Sequence, residues 1–213
     1  MAVDVAVGSL PEVVAEAVDS GGHDLVMVAA DRNPESAAAS RRIVRAASCA
    51  VWLVRPGFEG SCVLAALDLD ADPDRNRLIL DLARSQAEIQ GGRVRVMYAW
   101  QVGHLDVLNR MGGEPLDRHA ESELVLAVES AYRATIDELV GDGIDRGGVH
   151  LVDGSPGRSV VALASLYRVD LVVMGAGEAK AGSAELGPTA EQVLTECDAS
   201  VLIVQGSGPP RTE

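Results

Sequence analysis

The sequence predicts an α/β chain: an open five-stranded parallel sheet with helices on both faces, preceded by a partial second copy of the same unit. Three observations carry this. The runs LVMV (25–28), VWLV (51–54), LVVM (171–174) and VLIV (201–204) are short, unbroken and apolar, the pattern of strands covered on both faces by helices. Helix-length segments separate them. And the chain resembles itself: VGSLPEVVAEAVDSGGHDLVMVA from Val7 aligns without a gap on DGSPGRSVVALASLYRVDLVVMG from Asp153, a shift of 146, while VWLV falls on VLIV with a shift of 150. One supersecondary unit is present twice.

Each copy reads strand, helix, strand, helix, strand. The first, 1–57, holds only the last three strands of the unit and is a partial domain. FEGS (58–61) is the only linker, so the copies must lie side by side. The second, 61–207, is complete. CVLAALDLD (62–70) is its first strand, with Asp68 and Asp70 on one face; Asp72 and Pro73 form an N-cap and first turn. RVRVMYAW (93–100) is the next strand. Over 118–140, Leu124, Val128, Tyr132, Ile136 and Leu139 share one helical face, and Gly141 stops the helix. The strand–helix pair DGSPGRSVVALA, then LVVM and VLIV, complete the unit. The C-terminal GSGPPRTE reads as a loose tail.

Composition narrows the function. The net charge is −14 and the pI about 4.6, which repels a phosphate backbone and argues against nucleic acid as a partner. Cys49, Cys62 and Cys197 are scattered, unlike a disulfide framework or a zinc site. No run approaches the ~20 apolar residues of a membrane span, and the N-terminus lacks a signal peptide; a cytoplasmic protein is expected.

Several chemistries fail on spacing. ALDLDADPD (66–74) has aspartates at alternate positions, but a calcium loop counted from Asp68 would have Pro73 and Ile79 where Gly and Glu belong. His23, His104, His119 and His150 show no metal-ligand spacing, and no serine elbow exists. In MGAGEAKAGSAELGPTAE (174–191), Gly177 and Gly182 have Walker spacing but are followed by Ser183 and Ala184. Gly175 and Gly177 begin a dinucleotide fingerprint that Lys180 breaks. No catalytic residue and no metal site is expected, so the chain reads as a non-enzyme.

VLAALDLD, DGSPGRSVVALA, DLVVMGAG and LGPTAEQVLTECDASVLIV, in that order and spacing, resemble the universal stress protein (UspA-like) family, in its tandem-domain branch with a truncated first domain. The resemblance implies an adenine-nucleotide alpha-hydrolase-like sheet of strand order 3-2-1-4-5, with ligand at the carboxyl ends of the strands. It implies a stress-response regulatory or ligand-sensing role and ATP as ligand. The family motif G-x-x-G-x9-G-[ST] is met imperfectly by Gly175, Gly177 and Gly187, with Pro188 where Ser usually stands. Proline lacks the N–H that a helix N-terminus offers a phosphate, so the site is expected to be degenerate, with Thr189 still available. Glu178, facing inward, would oppose phosphate.

By the same resemblance Asp68 lies near ribose and adenine, and Ala66 and Ala99 line the base pocket. Met174 and Gly175 cross the ligand's middle; Gly177, Gly187 and Thr189 surround the phosphates. In the first copy the equivalent loop (29–40) has no glycine and the base-pocket strands are absent, so it is expected to be structural. Family domains pair through their last strands, which would set 51–55 beside 201–205. The alternative function is a carrier or sensor of an apolar, lipid-like ligand on faces left uncovered by the missing half. Those faces also imply either a homodimer or a longer natural chain.

Overall fold

The computed structural model describes residues 7–31, 33–57, 61–100, 118–144, 146–177 and 186–205. In chain order the elements are α1 (Leu10–Gly21), β1 (Leu25–Ala29), α2 (Pro34–Ala46), β2 (Ala50–Val54), β3 (Cys62–Leu67), α3 (Pro73–Gln90), β4 (Arg93–Trp100), α4 (Arg118–Val140), β5 (Val149–Asp153), α5 (Pro156–Leu166), β6 (Leu171–Gly175), α6 (Pro188–Glu196) and β7 (Ser200–Val204). The expected first strand of the first copy, most of the 58–61 linker and Glu178 lie outside the described residues.

Local chemistry accounts for the helix starts. Pro34, Pro73, Pro156 and Pro188 each occupy a first turn, where a missing N–H costs nothing and the fixed φ suits the helix. Asn33 and Asp72 cap α2 and α3 by accepting from the N–H groups of Ser36 and Asp74. β3 ends at Leu67 instead of running to Asp70. The Asp68 carboxylate accepts from Asp70 N–H and the Asp68 carbonyl from Ala71 N–H. This aspartate turn competes with the strand, so Asp68 and Asp70 do not share a strand face.

The strands form one continuous sheet in the order β1-β2-β7-β6-β3-β4-β5. Within it β5-β4-β3-β6-β7 is parallel throughout and, counted from β3, follows 3-2-1-4-5. The sequence predicts five strands beside a partial copy, with 51–55 next to 201–205; among the described residues that pairing is present and joins both copies into one seven-stranded sheet. The joint is antiparallel, β2 on β7, with Val51 opposite Ile203, Trp52 opposite Leu202 and Leu53 opposite Val201. Each edge satisfies the backbone groups the other would leave open.

That joint has approximate twofold symmetry, with Trp52 and Leu202 at its centre. Arg55 Nη2 donates to Leu194 O, and Gln205 Nε2 donates to Val44 O; the shift of 150 exchanges one contact for the other. It likewise exchanges the Arg45–Glu191 ion pair for the Arg41–Thr195 hydrogen bond. The shift of 146 matches Gly22 (φ 60°) to Arg168 (φ 49°), so one left-handed helix end is kept in both copies although only one uses glycine.

Two apolar layers sandwich the sheet. On one face Leu53, Leu64, Val172 and Val201 pack with Ile43 and Val44 of α2, Val160 of α5 and Leu194 of α6. On the other, Ala65, Val96, Val173 and Leu202 pack with Ile79, Leu80 and Ala83 of α3 and Ile136 of α4. Burial of each large aliphatic side chain contributes on the order of 1.5–3 kcal/mol. The α4 stripe is as expected: Ile136 is buried, and Leu124, Val128, Tyr132 and Leu139 pack against that layer. The second layer stops short of β1, where Leu25 and Met27 are 42% and 59% exposed.

Candidate functional site

The carboxyl ends of β3, β4 and β6 open into a cleft of about 470 Å³ closed on one side by the start of α6. All eight residues singled out in the sequence line it: Ala66, Asp68, Ala99, Met174, Gly175, Gly177, Gly187 and Thr189. Ala66 and Met174 are opposite each other across β3 and β6. With Ala99 they form a buried floor, and the two alanines leave room above it for a flat group. Asp68 is exposed just beyond the end of β3.

At the far end two backbones nearly touch. Gly177 has φ +99°, and a Cβ there would stand 2.8 Å from Gly187 Cα and 2.9 Å from Gly187 N. Only glycine meets both demands. Gly187 is the N-cap of α6 and donates its N–H to Ala176 O at 2.8 Å. Pro188 has no N–H, so the donors the first turn retains are those of Thr189 and Ala190. An anion there would meet two donors and the positive end of a short helix. The loop between Gly177 and Leu186, with Glu178 and Lys180, is outside the described residues.

Two polar residues of the cleft were not anticipated. Asn76 is 2% exposed; its Nδ2 donates to Asp68 O at 2.7 Å and its Oδ1 accepts from Asp68 N–H at 3.1 Å. This clamp holds the end of β3 against the first turn of α3. Its signal was in the sequence: Asn76 continues the apolar row of Ile79, Ala83 and Ala87, and an amide in a core row needs partners. Arg75 reaches from the same turn across the cleft, donating from Nη1 to Gly177 O at 3.3 Å. No local pattern marks it.

Below the floor Tyr98 packs against Tyr132 with ring centroids 4.8 Å apart and ring planes tilted by 59°. Burial, then the hydrogen bond with Tyr132, drives the Tyr98 phenol far above its ordinary range, so it stays protonated. His150 is not among the lining residues; it lies on β5 with Arg95 Nη1 3.2 Å from Nε2 and the Tyr167 ring 4.8 Å away. Among the described residues no group of three or more His, Cys, Asp or Glu is placed to hold a metal ion. Cys49, Cys62 and Cys197 form no disulfide among the described residues, and no described helix is long and apolar enough to cross a membrane. The cleft can bind and orient; it presents two short-range N–H donors, one guanidinium and the exposed carboxylates of Asp68 and Asp70.

Comparison with known proteins agrees with this architecture. Universal stress protein E of Escherichia coli K12 is 27% identical over 218 residues, covering 91% of this chain; the chain spans 64% of that protein's length. A structure of a functionally unknown protein from Pseudomonas aeruginosa PAO1 superposes with a TM-score of 0.71 at 19% identity, covering 92% of this chain and 67% of its own. A universal stress protein from Archaeoglobus fulgidus superposes with a TM-score of 0.60 at 17% identity, over 90% and 64%. At such identities the structural likeness speaks for the fold. The model of the universal stress protein family matches residues 63–205, from the strand carrying the cleft floor to the strand at the twofold joint, and the chain belongs to that family.

Proposed function

We propose that this chain is a non-enzymatic stress-response protein whose cleft is a ligand-sensing site for an adenine nucleotide. Family membership supports the stress-response role. The observation carrying the nucleotide reading is the convergence of Ala66, Ala99, Met174, Gly177, Gly187 and Thr189 on one cleft at strand carboxyl ends, beside a helix N-terminus. A flat apolar floor suits a base, and the glycine approach leaves backbone within reach of phosphate. Pro188 removes one N–H from the helix start that lines the cleft, leaving fewer donors for charge developed in turnover. The adenine nucleotide would be ATP or one of its lower phosphates.

The test is direct. Purified chain is denatured, and the released small molecules are separated by ion exchange and weighed by mass spectrometry; ATP is then titrated back calorimetrically. A bound or rebindable adenine nucleotide supports the reading. Absence of both overturns it.

A second reading rests on a different observation. Among the described residues β1 pairs with β2 alone, and the side chains of Leu25 and Met27 on it are exposed. In β6, the equivalent strand, Leu171 and Val173 are fully buried beneath α3. An apolar small molecule or a second copy of the chain covering this face would complete it. Recovery of a lipid-like molecule, or a concentration-dependent dimer in analytical ultracentrifugation, would support this reading.

A further inference from the structure

The cleft holds a cation with no ion-pair partner among the described residues, although the carboxylates of Asp68 and Asp70 line the same cleft. Arg75 makes no ion pair among the described residues, and its one hydrogen bond there is the long Nη1 contact to Gly177 O. Its Nε is shielded from solvent and has no hydrogen-bond partner among the described residues. A buried guanidinium donor left unsatisfied costs more than the net gain of an ordinary hydrogen bond, and a long side chain free to swing into water would escape that cost. Arg75 does not escape, because its stem packs where a Cβ on Gly175 would stand only 3.2 Å from Cδ. The missing side chain of Gly175 is therefore also the space that lets Arg75 lie along the cleft.

From this arrangement we propose that Arg75 is the specificity-determining cation of the cleft, selecting ligands that carry a phosphate over the uncharged nucleoside. The assignment rests on the nucleotide reading above. It accounts for how an anion could bind where α6 presents only the Thr189 and Ala190 N–H groups. A guanidinium offers two parallel donors in one plane, the geometry of a phosphate edge. Nη1 already faces the Gly177 end of the cleft, the same end as the start of α6. Arg75 and the α6 N-terminus thus form two sides of one anion seat, one supplying charge and the other supplying backbone donors.

The experiment uses the full chain and four ligands, ATP, ADP, AMP and adenosine, titrated into wild type, Arg75→Gln and Arg75→Lys by calorimetry, with each variant's thermal melt as a folding control. Arg75→Gln should weaken ATP and ADP about ten- to hundredfold while adenosine stays within about twofold. Arg75→Lys, with charge but no planar fork, should fall between. An equal loss for adenosine and ATP would show that Arg75 only supports the cleft wall and would overturn the assignment. So would unchanged ATP affinity in Arg75→Gln. Wild type that binds adenosine and ATP equally well sinks the phosphate role alone, whereas wild type that binds none of the four removes the nucleotide reading and this assignment with it.

Discussion

Gly177 and Gly187 approach so closely that a Cβ on Gly177 would lie 2.8 Å from Gly187 Cα, while the reverse substitution would place a Cβ 3.2 Å from Gly177 Cα. The asymmetry makes a prediction. Gly177→Ala meets backbone and must also hold φ +99°, so it should destabilise the fold by about 1–3 kcal/mol and abolish ligand binding. Gly187→Ala has an ordinary φ of −63° and needs a shift of only a few tenths of an ångström. Urea midpoints of the two variants should rank in that order; equal midpoints would mean the loop relaxes freely around Gly177.

Pro188→Ser restores one N–H at the first turn of α6 without altering the Gly187 cap. Phosphate-bearing ligands should gain about three- to tenfold in affinity, the net worth of one hydrogen bond, and adenosine should gain nothing. Calorimetric titration of both ligands decides it. A gain shared by adenosine would point to a change in cleft shape instead of a recovered donor.

The β2–β7 joint should be held by its centre and not by its rim. Trp52 is 7% exposed and packs in the layer containing Leu202 and Val204, so Trp52→Ala should cost about 3–5 kcal/mol. Arg45 and Glu191 form an ion pair whose side chains are each about two-fifths exposed, so a double-mutant cycle on them should return no more than about 1 kcal/mol. Chemical denaturation of the four variants checks both values. A larger coupling between Arg45 and Glu191 than the Trp52 loss would contradict the ranking.

His150 makes stability depend on mild acid. Burial first, and the neighbouring Arg95 second, lower its pKa below the ordinary value, so the folded chain favours neutral imidazole while the unfolded chain still protonates near pH ~6.5. Stability is therefore fully present above the unfolded pKa and is lost as pH falls from there toward the folded pKa. His150→Gln removes this contribution. Between pH 7.5 and 5.5 the urea midpoint should fall further in wild type than in the variant, and parallel curves would show that His150 titrates alike in both states.

Much of the fold was legible because its causes are local. The apolar runs 51–54, 171–174 and 201–204 needed only to be buried on both faces to become strands. Asp72 and Pro73 start α3 through atoms two residues apart. The extent of β3 was misread because the same aspartates that look alternating on a strand also hydrogen-bond their own backbone, and the turn prevailed. The family resemblance sets 51–55 beside 201–205, and β2 does pair with β7; what pattern does not show is that this join makes the two copies one continuous sheet. In the cleft, the small floor residues and the glycines were legible through the resemblance to the universal stress protein family, while Asn76 was visible only as a polar residue in an apolar row.

By itself, the sequence determined the order of elements, the repetition of one unit and the weakness of the α6 N-terminus, since Pro188 lacks an N–H in any fold. Tertiary structure alone decided that Gly177 must be glycine because of Gly187, that Arg75 reaches a carbonyl 102 residues away, and that the expected pairing of β2 with β7 is antiparallel and centred on Trp52 and Leu202. The physical reason is the same in each case. Propensity, capping and proline geometry act within a turn or two of chain, whereas close backbone approach and an unpaired guanidinium are set by how distant strands pack.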